Sequence, residues 1–347
     1  MKKTMLFILL CVTTLFANAN NYRNDGANYK YSIKRTVEKT FDVSANPQLN
    51  IDGMFTDIIV NEWDKQQISF NVLIEVKSDS QKMAEERINS INVRFELTGN
   101  GVNAETVFEK TKGSFNGSTS IRLIVKVPSD VRMRLETKYG DITVGDVLKE
   151  FDAEVKYGSI VAGELLSASS IEVAYGDFSV KYAKSLDLEV KYGNAVVTKA
   201  DYLNAEVGYG ELTMKEIKRA VIDNDYSDVR VESVGELDIE NSYADAKIIS
   251  VTDKLSAKLS YSDISVGVGG KSPVIDIRGG YSDVVISNVE GASFNYKLNA
   301  TFGDIKCGDI INQSSERSKG YLTGRYGDGD LGNINISLQY GDIKIIR

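Results

Sequence analysis

The strongest constraint on how this chain can fold is a repeat. Twelve times an aromatic residue is followed by a small residue and then, most often, by an acid. The aromatic anchors are Tyr139, Tyr157, Tyr175, Tyr192, Tyr209, Tyr226, Tyr243, Tyr261, Tyr281, Phe302, Tyr326 and Tyr340. The first eight lie 17 or 18 residues apart, and later gaps run to 20, 21, 24 and 14. A period this short holds about one supersecondary unit, which cannot bury its own apolar face and needs stacked copies.

Parity around the anchors predicts the element type. Before Tyr192 the alternate positions hold Leu186, Leu188 and Val190, with Asp187, Glu189 and Lys191 between them. Before Tyr157 they hold Phe151, Ala153 and Val155. Period-two alternation is the mark of a strand with one buried face. Apolar residues return three and five places after the anchor, as with Phe178 and Val180 or Ile343 and Ile345. The parity therefore slips by one at each anchor, and a slip in every copy means a corner. Each copy reads as a strand, a corner, a shorter strand and a return loop. An antiparallel meander would reverse the pattern in alternate copies, whereas every copy here reads in one direction.

The expected fold is all-β: a single-stranded parallel β-helix, or β-solenoid, of about twelve rungs of 17–18 residues over 135–347. Stacking in register would make the anchors a structural ladder. By parity their rings face inward or line the corner as core. Asn224 and Asn241 occupy the same inward position in consecutive copies, which predicts a short internal amide ladder. Cys307 also falls at an inward position and reads as a buried thiol.

Residues 20–134 depart from the repeat and read as a β-rich capping region, needed because an open solenoid end exposes strand edges. Within it, Leu49, Ile51, Phe55, Ile58 and Val60 fit the template and predict a first rung near 49–60. Ser78 and Gln81, with Ala84, Ile88 and Ile91 on one face, predict one short helix. Ahead of this lie Lys2-Lys3, an apolar run from Met5 to Val12 and Ala17-Asn18-Ala19, the three parts of a secretory signal over 1–19. Export places the chain in the periplasm, on the outer membrane surface or outside the cell. Its loss leaves Cys307 alone, so the fold holds without an intrachain disulfide. It also takes the formal charge from −8 to −10, which disfavours nucleic acid as a partner. No apolar run is long enough for a transmembrane helix in the mature chain.

The chain has no histidine. That excludes Ser-His-Asp and Cys-His chemistry and the commonest zinc ligand. No catalytic residue and no cofactor is expected. The acid two places after the anchor is the one candidate metal feature, with Asp228, Asp245, Asp263 and Asp283 in consecutive copies. Stacked carboxylates suit calcium, but a corner Asp also caps backbone N–H groups, the reading favoured here. Arg317, Lys319 and Arg325 make a weak cationic cluster near a polar insertion at 308–319, which could fold over the last edge. Otherwise the edge of the final repeat, Tyr340 to Ile346, is free for oligomerisation.

The succession Leu49-x-Ile51, Phe55-x-Asp57-Ile58, Trp63, a helix-bearing insert, Val127-Pro128 and many Tyr-Gly-Asp-Ile-like copies resembles the "putative adhesin" family of exported Bacteroidota-type, Gram-negative proteins. The family is similar to the head domains of autotransporter adhesins. The resemblance implies a β-solenoid at the cell envelope and carries no catalytic residue. The function expected is a non-enzymatic binding scaffold for a glycan or an envelope protein, with stacked charged rows such as Glu154, Glu172, Glu189 and Glu206 on its faces. The alternatives are a carbohydrate-active β-helix enzyme and a structural or signalling component of the envelope.

Overall fold

The structure, a computed structural model, describes residues 28–110, 114–308 and 316–347. The export signal expected at 1–19 lies outside them, as does most of the 308–319 insertion. The described chain is all-β apart from one helix, with its strands in mostly parallel order. Its contacts divide it into two units, 1–145 and 146–347.

In the first unit, Tyr31–Asp42, Gln67–Ser78 and Ser118–Val127 run antiparallel to one another in that order. Ser118–Val127 then pairs in parallel with Thr56–Glu62, and that strand with Ile142–Val144. The strand Gln48–Met54 sets Leu49 opposite Met133 and Ile51 opposite Leu135. Segments 84 residues apart in sequence are thus neighbours, with Phe55 stacked on Tyr139 at 5.1 Å. The helix spans Gln81–Asn89 and buries Ala84 and Ile88. Its N-cap is Ser80, which accepts the N–H of Met83, rather than Ser78. Ser78 instead accepts the N–H of Ser80, and Ile91 already begins the next strand.

In the second unit, consecutive copies pair in parallel and in register. Val155, Val173, Val190, Val207, Asn224, Asn241 and Leu259 are each opposite the next. Copies of 18 residues pair with copies of 17 by small register shifts, between Leu165 and Ala168 and between Val234 and Glu236. The return loop expected in each copy is absent from the regular part of the array. From Phe178–Lys191 to Ala246–Ser260, strands of 14 or 15 residues run from one corner to the next. The return leg carries one buried residue per copy, Ala183, Ala200, Ile217, Val234 and Val251. A lone apolar residue among polar ones has no period, so alternation could not reveal this strand.

The late copies depart further from expectation. The strand Gly332–Tyr340 does not follow Phe294–Phe302 in space. It lies between Val274–Gly280 and Phe294–Phe302, parallel to both. Ile343–Ile345 lies likewise between Val284–Ser287 and Ile305–Lys306. The edge expected to be free at Tyr340 is therefore interior. Tyr326 is no anchor: Tyr321–Tyr326 runs antiparallel to Phe294–Phe302 and sets Tyr326 against Phe294 at 5.2 Å. Glu316–Ser318 adds one more antiparallel strand outside it. The motif at 326–328 has the corner's residue types but lacks alternation before it, and strand direction followed the pairing available.

Candidate functional site

The anchors of the second unit form an exposed aromatic column, not core. From Tyr157 through Tyr281 their backbones sit at φ between 52° and 60°, the left-handed region that non-glycine residues seldom enter. That single rotation produces the parity slip, and it turns the side chain out of the inward row. The rings are about half exposed, 48–53%. They stack at 4.7–5.3 Å within 8° of parallel from Tyr157 to Tyr281. Tyr340 and then Phe302 continue the column at 4.6 and 4.8 Å. Left-handed backbone costs about 1 kcal/mol or more per residue, which stacking at about 0.5–1.5 kcal/mol per pair offsets.

Stacking covers the ring faces. A sugar cannot lie flat on a ring whose neighbour is 5 Å away, so the strip presents edges and phenol groups. On one side of it stands the corner acid row. Each carboxylate accepts the backbone N–H of its counterpart in the next copy: Asp228 from Asp245 at 3.3 Å, Asp245 from Asp263 at 3.2 Å, Asp263 from Asp283 at 2.8 Å. Asp283 accepts from Asp342 and Asp342 from Asp304. Among the described residues no cluster of three acidic, cysteine or histidine side chains is placed to hold a metal ion.

On the other side stands a second acidic row, Glu154, Glu172, Glu189, Glu206, Asp223 and Glu240, in direct register. Lysines interrupt its repulsion: Lys156 meets Glu154 at 2.8 Å, and Lys191 bridges Glu189 and Glu206 at 2.5 and 3.2 Å. Among the described residues Asp223 has no such cation. Burial first, then the charges of Asp225, Glu240 and Glu206, hold its carboxyl above the usual carboxylate range. Beside it, where Gly208 contributes no side chain, a recess of about 230 Å³ opens alongside the column, lined by Tyr192, Tyr209 and Tyr226.

A carboxyl raised in the folded state contributes stability at low pH, where both states hold the proton, and loses it as pH rises through the folded value. Asp223→Asn is therefore expected to raise the thermal midpoint at pH 7. The gain should fade below about pH 4, near the unfolded carboxyl value. Thermal melts across pH 3–8 check this, and a gain independent of pH would refute it.

Asn224 and Asn241 are buried and hydrogen-bonded to each other, Asn224 Nδ2 donating to Asn241 Oδ1. Their amides also donate to the corner carbonyls of Ser227 and Ala244. Cys307 is buried. Arg325 donates to the carbonyl of Gly327, and the side chain of Arg317 lies outside what is described. Parity could not reveal Tyr182, Asp201 and Lys218 on another face, where Lys218 meets Asp201 at 2.9 Å. That ion pair holds the Asp201 carboxyl low and the Lys218 ammonium high, leaving neither poised as a base at neutral pH.

No family model matches the chain, and no curated protein matches it. Several solved structures do. A putative adhesin from Parabacteroides merdae is 14% identical over 72% of this chain and 95% of its own, with a TM-score of 0.39. A putative adhesin from Parabacteroides distasonis is 16% identical over 72% and 96%, with a TM-score of 0.43. A putative cell adhesion protein from Clostridium sporogenes is 13% identical over 90% and 99%, with a TM-score of 0.19. The two Parabacteroides structures bear the name of the family that the sequence resembles. No helix among the described residues is long and apolar enough to cross a membrane.

Proposed function

We propose that this is a non-enzymatic, exported cell-envelope binding protein whose second unit coils as a β-solenoid of 17–18-residue rungs. The partner, a glycan or an envelope protein, docks along the tyrosine strip. The observation that carries the reading is the exposed column itself. Ten rings stand in one line, and the eight from Tyr157 to Tyr281 are about half in solvent, where burial inside would have stabilised the fold more. Exposed ordered aromatics of this extent mark interaction surfaces on soluble proteins. The register of Val155 to Leu259 supports the coil.

The full chain is to be tested on a glycan array and against purified envelope proteins, beside the triple variant Tyr192→Ser, Tyr209→Ser, Tyr226→Ser. The expected result is binding by the parent, at least tenfold weaker in the variant, roughly the loss of one hot spot, with no product released from any glycan. New reducing ends would replace this reading with that of a carbohydrate-active enzyme. Equal binding by parent and variant would move the site off the strip. Protease shaving of intact cells distinguishes surface from periplasmic residence.

A further inference from the structure

The insertion of 332–345 between two repeats that follow each other in the chain is unlike anything else in the second unit. Elsewhere consecutive copies pair directly. Here Val274–Gly280 and Phe294–Phe302 are held one strand apart by a segment that is made later. The slot is shaped for that segment. Ile334 lies opposite Ile275 on one side and Tyr296 on the other, and Ile336 lies between Ile277 and Leu298. Ile343 meets Val284 and Ile305. The ring of Tyr340 fills the column between Tyr281 and Phe302. Glycine stands at both close approaches. A Cβ on Gly332 would sit 2.0 Å from the carbonyl oxygen of Pro273, and one on Gly341 would sit 2.0 Å from that of Ser282. Gly341 also has φ +139°.

None of these contacts depends on the path by which the segment arrives. It is joined to Tyr321–Tyr326, on the far side of Phe294–Phe302, by only Gly327-Asp328-Gly329-Asp330-Leu331. Two glycines and two like-charged aspartates make a hinge that extends easily. A strand that completes a slot and swings on such a hinge is the ordinary requirement for domain swapping.

We propose that residues 332–345 are an exchangeable strand and that the slot accepts the same segment from a second copy of this chain. The partner is then identical in every contact, and the exchange leaves the tyrosine column of each copy complete. While the slot is empty, the repeats on either side can close on each other as consecutive copies do elsewhere, so filling it is a separate, late step of folding.

The test uses the full chain with Cys11→Ser, Arg278→Cys and Ser337→Cys. These exposed positions, 278 and 337, are direct register partners, one on the wall of the slot and one on the strand that fills it, and native Cys307 is buried. The unfolded protein is refolded at low and at hundredfold higher concentration, fractionated by size, and treated with a short bis-maleimide. The expected result is a shift from one to two chain masses at high concentration. The 278–337 link should lie within one chain in the monomer and between chains in the dimer. Monomer alone at every concentration, or dimers whose link stays within each chain, would overturn the proposal. A slow refolding step that Gly332→Val abolishes, while the preceding repeats still fold, is the second reading expected.

Discussion

Gly193→Ala is expected to destabilise the protein by about 3 kcal/mol or more, beyond the usual range of a single-methyl insertion. The corner glycines Gly158, Gly176, Gly193 and Gly210 stack so closely that a Cβ on Gly193 would lie 1.7 Å from the carbonyl oxygen of Gly176. Backbone, not a movable side chain, occupies that space on a ladder tied down on both sides. Relief requires the repeats to separate locally, which breaks corner bonds such as that from the Tyr175 N–H to the Lys191 carbonyl at 2.9 Å. Gly208→Ala is the matched control. Its Cβ would meet nothing nearer than 3.8 Å, so its effect should stay within about 0.5 kcal/mol, as at ordinary surface sites. Urea denaturation of the two variants checks the contrast. Similar midpoints would show that the corner yields and the tight stack is not a constraint.

The second large effect falls on the internal amides. Asn241→Val keeps the shape of the position, since Val207 fills it two copies earlier, but removes two functions. The Ala244 carbonyl loses its donor, and the Asn224 amide loses the acceptor that joins the two amides. Each buried polar group left without a partner costs about 1–3 kcal/mol, so a loss of about 3 kcal/mol is expected for the pair of orphans. Asn224→Val orphans the Ser227 carbonyl and the Asn241 oxygen, but it also removes Asn224 Oδ1, which is buried without a partner, so its cost should be the smaller of the two. The double variant should cost clearly less than the sum of the singles, because the shared bond is lost only once. Strict additivity in a double-mutant cycle would mean the two amides act independently.

The amides also explain why the corners come in two chemistries. From Gly140 to Gly210 the residue after the anchor is glycine, and from Ser227 to Ser282 it is serine or alanine. Where serine enters, its hydroxyl takes a backbone N–H of a neighbouring copy, that of Gly210 at 2.9 Å for Ser227 and that of Ala244 at 3.3 Å for Ser262. At Ser227 and Ala244 the carbonyls are reached from inside by the asparagines. The amide ladder sits where the glycine stack ends, and it supplies the donors that the first two altered corners need.

Several features were legible before any coordinates because a repeat converts sequence spacing into spatial neighbourhood. Alternation at Leu186, Leu188 and Val190 implied a buried strand face, and copies running in one direction implied parallel pairing. The parity slip at each tyrosine implied a corner. The side on which the ring falls was not legible. Inward parity and a left-handed turn give the same pattern of letters, and only φ near +58° separates them. The return strand escaped notice because one buried residue per copy, such as Ala200 or Ile217, has no period. The tyrosine strip as a surface, the uncompensated Asp223 and the recess at Gly208 depend on which columns become adjacent, which follows from corner geometry.

By itself the sequence determined the all-β class, the parallel order and the register of the regular copies, since each copy carries the same alternation and pairs with the next whatever lies elsewhere. Only the tertiary structure decided the order of the late copies. Gly332–Tyr340 and Phe294–Phe302 present interchangeable apolar faces to Val274–Gly280. The choice between them was made by close backbone approach at Gly332 and Gly341 and by completion of the ring column, contacts that no local pattern encodes.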